Sequence, residues 1–407
     1  MLNSYQAAID WLFKQFPSYQ NIGASAYKPG LERVELLLTK LGNPHQNLKI
    51  IHIAGTNGKG STSSYLASYL TEKGEKVGLF TSPHIFDFRE RIRVNGEKIS
   101  EEFVLEFCNQ IQNLNLDIEP SFFEITFAMS VSYFNSENCS FCVLETGMGG
   151  RLDATNIVNP IVSVITNIGF DHTQFLGDTY AEIAFEKAGI IKKNTPVVIG
   201  ETKSETKAVF LNTAKSQNAE IIFAEDDVLP EISDLPLYQL KNLRTALKAL
   251  EICGFTVEQS LLKKSLENLH VNTGFFGRLT VISQKPRIIL DVSHNLEGIK
   301  ATLESIMLPA NGKLFILYGA SADKNVEEII SQFPVDAIIH LCKFKNERSL
   351  SLQQLNHIKR KDIRIIKVFD NINSGISELK KKMNPKDTLL TTGSFFLISD
   401  IDKMPSS

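Results

Sequence analysis

A glycine-rich run, Ile51-His52-Ile53-Ala54-Gly55-Thr56-Asn57-Gly58-Lys59-Gly60-Ser61-Thr62, joins an apolar segment to one with helical character. Backbone N–H groups at a helix start, together with one lysine, make a cradle for a polyphosphate. Asn57, Gly58, Lys59, Gly60 and Ser61 would line that cradle, and the glycines let the backbone approach an anion without a side-chain clash. The run departs from the usual nucleoside-triphosphate signature. With Gly58-Lys59 aligned, the upstream glycine is residue 55 rather than 53, and Gly60 stands where Ser or Thr would bring a hydroxyl to magnesium. The plainer reading, a turn with an incidental lysine, fits less well with a strand entering and a helix leaving.

Two further segments end apolar strands in chemistry-bearing residues. Glu145 opens the run Glu145-Thr146-Gly147-Met148-Gly149-Gly150-Arg151-Leu152-Asp153-Ala154-Thr155-Asn156. His172 closes Thr166-Asn167-Ile168-Gly169-Phe170-Asp171-His172. Ligands of open α/β sheets gather at the carboxyl ends of strands. Magnesium prefers oxygen ligands and suits Glu145 better than His172. On the residues alone, metal binding and hydrogen-bonded scaffolding are both open for this pair. The Gly-x-Gly-Gly run lacks the spacing of a dinucleotide fingerprint. Cys139 and Cys142 form a Cys-x-x-Cys without a second pair, which reads as small core hydrophobes in a reducing compartment rather than a zinc or redox site.

The elements that must position these residues follow from the apolar pattern. Strands are expected at 48–54, 77–81, 141–145, 161–166 and 197–199, with helices at 1–16, 30–41, 61–73, 101–114, 121–134 and 240–253. A second set of strands is expected at 287–291, 313–318, 337–341, 363–368 and 388–391, with helices between them. Alternation of this kind predicts mostly parallel sheets. The fold class is therefore α/β: a parallel-sheet ATPase domain of the phosphate-loop type over 1–273, then a smaller Rossmann-like α/β domain over 274–407, with a linker at 272–277. The 407 residues are enough for two cores. A formal charge of −3 offers no global field for nucleic acid or an acidic membrane surface. No basic start followed by an apolar run marks a secretory signal, and no stretch reaches the roughly 18 apolar residues of a membrane span. A cytoplasmic location is expected.

Taken together, these segments resemble the folylpolyglutamate synthase and dihydrofolate synthase family of the Mur ligases, from Gly30-Leu31-Glu32-Arg33-Val34 to Thr392-Gly393-Ser394. The other matching runs are the phosphate loop, Ser82-Pro83-His84, Glu90-Arg91-Ile92-Arg93-Val94-Asn95-Gly96, Gly149 to Asn156, Asp171-His172, Glu186-Lys187-Ala188-Gly189-Ile190, Gly277-Arg278 and Asp291-Val292-Ser293-His294-Asn295. The resemblance implies that the loop holds ATP and that Ser82, Glu145 and His172 hold magnesium, two ions being expected. It implies that Lys187 takes up carbon dioxide as a carbamate, and it leaves room for a monovalent cation. Asn242 would contact adenine, Arg278 the phosphates and Asp291 the ribose. Phe123, Glu124, Leu152, Asp153 and Ala154 would lie near the pterin, and His294 and Ser394 on the glutamate side. Without the resemblance, Lys187 reads as a solvated helical lysine, Asn242 as a surface helix residue, Asp291 as a strand-end cap and Phe123 as core.

The implied reaction joins L-glutamate to dihydropteroate or folates. A carboxylate resists amines because oxide is a poor leaving group, so the acceptor is first phosphorylated by ATP and the glutamate amine then attacks the acyl phosphate. Lys59 and Arg278 would stabilise the transferring phosphoryl group, and His294 would orient glutamate or help remove the amine proton. Closure of two domains would keep water from the acyl phosphate. Both activities in one monomeric enzyme are expected, from the runs at 122–124 and 152–154. Small molecules are the only partners expected. The alternatives are another Mur-type amino-acid ligase, a catalytically silent ATP-binding protein, and a simple kinase.

Overall fold

Near-continuous runs of β-branched and apolar residues build the centre of the first sheet. Strand β1 (Ile50–Ala54) is buried along its whole length, as are β2 (Val77–Phe80), β5 (Phe141–Glu145), β6 (Val162–Ile165) and β7 (Val197–Ile199). Strands buried on both faces carry no polar alternation, the mark of a parallel sheet covered by helices on each side. Three short strands complete it: β3 (Ile92–Val94), β4 (Glu97–Lys98) and β8 (Ile221–Phe223). The order is β4-β3-β2-β5-β1-β6-β7-β8, with β3 and β4 antiparallel and the remaining pairs parallel. These are descriptions of a computed structural model covering residues 1–17, 28–114, 116, 118–232, 235–322 and 324–402.

A second sheet has the order β13-β12-β11-β14-β10-β9. Its strands are β9 (Thr280–Gln284), β10 (Arg287–Leu290), β11 (Leu314–Tyr318), β12 (Ile338–Cys342), β13 (Ile365–Phe369) and β14 (Thr388–Thr392). All pairs are parallel except β9 with β10. The sequence reading omitted β3, β4, β8 and β9. They are short or half-exposed, so their apolar signal is weak, and pairing to a neighbour rather than local pattern makes them strands. Contacts divide the chain into two compact units, Met1–Phe275 and Phe276–Ser407.

The helix Lys59–Glu72 carries the site's weight. Every residue from Ser61 to Leu70 is buried, because the helix has the sheet beneath it and Leu237–Ile252, Gln259–Glu267 and Leu269–Thr273 packed on it. An amphipathic stripe is absent for that reason: a helix covered on all sides is apolar or small all round. The expected linker at 272–277 is partly helical. Asn272 and Thr273 form the last turn of Leu269–Thr273, which Gly274 ends at φ 68°. No helix among the described residues is long and apolar enough to cross a membrane.

Candidate active site

Register brings four strand ends level. Ile53 of β1 pairs with Glu145 of β5, Ala54 of β1 with Ile165 of β6, and Phe80 of β2 with Leu144 of β5. The segments that follow these strands therefore emerge on one edge of the sheet: Gly55 to Lys59, Thr146 onward, Thr166 to His172, and Thr81 to His84. This is the carboxyl edge, where open α/β sheets collect ligands.

The loop after β1 is held by hydrogen bonds rather than by packing. Thr56 N donates to Asn167 O at 3.0 Å, and Asn57 N to the Asn167 side-chain oxygen at 3.0 Å. Thr166 Oγ1 donates to Asn57 O at 2.6 Å, and Thr56 Oγ1 donates to Gly169 O at 3.0 Å while accepting from Gly169 N at 2.9 Å. The loop after β6 thus braces the glycine-rich loop after β1. Two glycines are obligatory here. Gly55 has φ 153° and a Cβ on it would fall 1.8 Å from Thr166 Oγ1. Gly58, the helix N-cap at φ 82°, would put a Cβ 2.2 Å from Asn242 Oδ1. Gly55→Ala is expected to destabilise the protein by about 1–3 kcal/mol through overpacking against this brace, read as a lowered urea midpoint at unchanged slope. An unchanged midpoint would mean the brace is slack.

Two ammonium groups converge on one carbonyl. Lys59 Nζ donates to Gly55 O at 3.1 Å and to Thr56 O at 3.4 Å, and Lys187 Nζ donates to Gly55 O at 3.0 Å. Lys187, on the helix Tyr180–Ala188, is buried at 3 % exposure. The sequence reading of a solvated lysine is corrected: helical periodicity does not tell which face a neighbouring loop will cover. Burial pushes the Lys187 amine down from 10.5 to about 7, and the Lys59 charge adds to the depression, while Asp171, Asp153 and Glu186 oppose it.

On the other side of the loop, Ser82 N donates to Glu145 Oε2 at 3.2 Å, and a Cβ on Gly60 would lie 3.6 Å from that same oxygen. Glu145, Ser82 and Gly60 are thus brought together. His172 stands on the same edge after β6, at φ 53°, with Nε2 4.0 Å from Asp171 Oδ1. Among the described residues no three His, Cys, Asp or Glu side chains cluster for a metal. An oxygen-seeking ion that keeps waters and binds phosphate does not require such a cluster.

Asn242 is buried on the helix Leu237–Ile252, against Gly58, and its backbone oxygen accepts from Thr62 Oγ1 at 3.5 Å. The surface-helix reading of Asn242 is corrected in the same way as that of Lys187. Beside Glu145, the Phe123 ring packs on Gly147, where a Cβ would lie 2.7 Å away, and against Phe80 at 5.6 Å. Phe123 is half-buried, whereas Phe122 is core. Glu124 is buried, caps its own helix at Ser121 N (2.5 Å) and pairs with Arg33 at 3.1 Å. Asp153 is buried within its loop, accepting from Met148 N at 2.8 Å, Thr155 N at 3.0 Å and Thr155 Oγ1 at 2.6 Å. Burial pushes its carboxyl up and these donors pull it back. Leu152 is half-buried and Ala154 buried beside it.

In the second unit, Asp291 accepts from Leu279 N at 2.9 Å, Ser293 N at 2.9 Å and Thr302 Oγ1 at 3.1 Å. Those contacts make it a strand-end cap. Arg278 lies 5.2 Å over the Phe395 ring, and the His294 ring is 5.8 Å from the same ring. His294 Nδ1 is 3.0 Å from Val292 O, so that nitrogen is the donor. Ser394 caps the short helix Phe395–Ser399 by accepting from Phe396 N at 3.1 Å. Arg278, His294 and Ser394 are gathered around Phe395.

Comparison with known proteins gives these features a family. The Mur ligase middle domain model matches residues 53–281, and the Mur ligase, glutamate ligase domain model matches 277–395. The chain is 32% identical to the dihydrofolate synthase/folylpolyglutamate synthase of Bacillus subtilis, over 99% of each chain. It belongs to the dihydrofolate synthase/folylpolyglutamate synthase family of Mur ligases. Two solved relatives have the same fold. Escherichia coli FolC in complex with DHPP and ADP is 27% identical, with a TM-score of 0.84 over 98% of this chain and 96% of that one. The bifunctional folylpolyglutamate synthase/dihydrofolate synthase of Yersinia pestis, complexed with AMPPNP and Mn ion, is 25% identical, with a TM-score of 0.83 over 98% and 97%.

Within this dihydrofolate synthase/folylpolyglutamate synthase fold, sequence reasoning overlooked three residues that hold candidate residues in place, two in the first unit and one in the second. Asn167 holds the phosphate-loop backbone through its side chain; its place in the run before Asp171-His172 was the available signal. Phe395 joins Arg278 to His294, and only the aromatic pair after Ser394 hinted at it. Arg91, buried, donates from Nε to His84 Nδ1 at 2.8 Å and lies 5.3 Å over the Phe122 ring.

Proposed function

We propose that this chain is an ATP-dependent carboxylate–amine ligase that adds L-glutamate both to dihydropteroate and to folates. The observation that carries the reading is the pairing, on one sheet edge, of a lysine-bearing phosphate loop with the Glu145 carboxylate at Ser82 and Gly60. The helix start that follows the loop, its two glycines and Lys59 suit a triphosphate. The carboxylate and the nearby hydroxyl suit magnesium, with His172 on the same edge as a third ligand. Bound there, magnesium would neutralise charge on the phosphates as a Lewis acid.

The residues of this chain then divide the work. The acceptor carboxylate attacks the γ-phosphorus of ATP, the bond to the β-phosphate oxygen breaks, and ADP leaves. Lys59 stabilises the charge on the transferring group, and the phosphates are also the partner proposed for Arg278. The glutamate amine attacks the acyl carbon, loses a proton, and inorganic phosphate departs with the former acyl C–O bond broken. His294, whose Nδ1 donates to Val292 O, orients glutamate or takes its proton, with Ser394 on the same side. Asn242 takes the adenine and Asp291 the ribose. The Phe123 ring, with Glu124 and the Leu152-Asp153-Ala154 run, borders the pterin.

Lys187 supports one more assignment. Only a neutral amine adds to carbon dioxide, and an amine held near 7 is partly neutral at physiological pH. Its carbamate would place a negative charge beside Lys59. A second magnesium and a monovalent cation complete the proposed set. Five free cysteines agree with a reducing, cytoplasmic setting, and the working form is a monomer.

The test is ADP release from ATP, magnesium and glutamate with dihydropteroate or tetrahydrofolate as acceptor. Turnover with both acceptors is expected. Turnover with one reduces the proposal to a single activity. Silence with both, in folded protein that binds ATP, would direct attention to another Mur-type acceptor.

A further inference from the structure

Beneath the Gly147–Thr155 loop, His52 and Thr155, which have no part in the reaction above, form a buried polar chain with Asp153. His52 lies on β1 with no solvent exposure, two residues before the strand ends. Its Nε2 is 2.8 Å from Thr155 Oγ1. Thr155, equally buried, spends its single hydroxyl proton on Asp153 Oδ1 at 2.6 Å, and its backbone N–H goes to the same oxygen at 3.0 Å. The direction of the chain follows from valence. A hydroxyl that donates to a carboxylate must accept from its other neighbour, so His52 carries its proton on Nε2. Its Nδ1 is buried and has no hydrogen-bond partner.

A buried, half-unpartnered imidazole is a costly way to fill a central strand, where an isoleucine would pack as well. Its neighbours on the strand are Ile51 and Ile53. What the imidazole adds is one N–H aimed at the hydroxyl that orients Asp153. The Asp153 loop starts beside Glu145 and includes Gly147, on which the Phe123 ring rests. The strand bearing the phosphate loop is thereby tied through its own interior to the acceptor side.

We infer that His52 and Thr155 are positioning residues for the pterin acceptor, acting through Asp153 as a fixed Nε2–H to hydroxyl to carboxylate relay. The inference rests on the proposed contact of Asp153 with the pterin. The imidazole is neutral throughout the working range, since burial, with Lys192 the nearby charge, pushes it down to about 3.

The experiment compares Thr155→Val, Thr155→Ser, His52→Leu and Asp153→Asn, with KM and kcat taken separately for pterin acceptor, glutamate and ATP. Thr155→Val and His52→Leu are expected to raise KM for the pterin about three- to tenfold, the worth of one hydrogen bond, with kcat and the other two KM values within about twofold. Thr155→Ser, which keeps the hydroxyl, is expected to restore the parent KM. Nitrogen-15 spectra of the parent protein should show a neutral Nε2–H tautomer at His52. A pterin KM unmoved by Thr155→Val while Asp153→Asn raises it overturns the relay and leaves the Asp153 contact standing. A pterin KM unmoved by Asp153→Asn overturns both. An Nδ1–H tautomer overturns the relay even if His52→Leu fails to fold.

Discussion

Lys59→Ala is expected to lower kcat for ADP release by about 10²–10³-fold while the fold survives intact. The structure separates the two effects. Lys59 Nζ touches only backbone carbonyls, those of Gly55 and Thr56, and Gly55 O keeps Lys187 as a donor when Lys59 is removed. The buried Gly55 O is not orphaned, and Thr56 O, which loses a long contact, belongs to a half-buried residue, so stability should change by less than about 1 kcal/mol. On the proposed role of Lys59 the expected loss is large, because a preorganised cation in a loop held by Thr166, Asn167 and Gly169 is worth far more than the same cation in water. The check is steady-state ADP release beside a urea melt. A loss under about threefold would remove Lys59 from the phosphoryl-transfer step.

Lys187→Met carries the opposite signature, less activity with more stability. The expected loss in kcat is at least about 10²-fold, on the scale of removing a single charge stabiliser from a closed site. The stability gain follows from the depressed amine. Below about pH 7 Lys187 is protonated in the folded and unfolded chain alike, and the cost of burying an ammonium is carried in full. Between 7 and 10.5 the unfolded chain holds a proton that the folded chain has released, so the parent protein gains stability as pH rises. Methionine has nothing to titrate. The variant should therefore exceed the parent most at pH 6 and lose that advantage by pH 10, in buffer freed of carbon dioxide. Urea melts at the two pH values measure it. An advantage that does not shrink with pH would contradict the burial argument, and activity within threefold of the parent would exclude a role for Lys187 in the reaction. With carbon-13 bicarbonate present, a carbon-13 spectrum of the folded parent protein should show a carbamate resonance that Lys187→Met lacks.

A side chain that costs stability and is kept marks function. By that measure Lys187 and His52 stand apart from Glu124, whose carboxylate is also buried. Glu124 has an arginine and a helix cap to satisfy it. Lys187 has one carbonyl and a neighbouring like charge, and His52 one hydroxyl.

The glycine turn between strand and helix, the apolar strand that ends in Glu145 and the succession of two α/β sheets were legible in the chain itself. Each is a local signal: glycines where the backbone must turn or come close, an unbroken apolar run for a strand covered on both faces, a helix start immediately after. What remained hidden was decided by pieces far apart in sequence. Ser82 meets Glu145 only because β2 and β5 pair with Phe80 opposite Leu144. Lys187 and Asn242 look like surface residues on their own helices, and become interior only when the phosphate loop is laid across them. The short strands at the sheet edges exist because a neighbour supplies hydrogen bonds, which no propensity records. Sequence determines the elements and the loop chemistry because those depend on residues within one turn or one strand. Register, burial and the depressed lysine depend on which surfaces meet, and only the tertiary structure decides that.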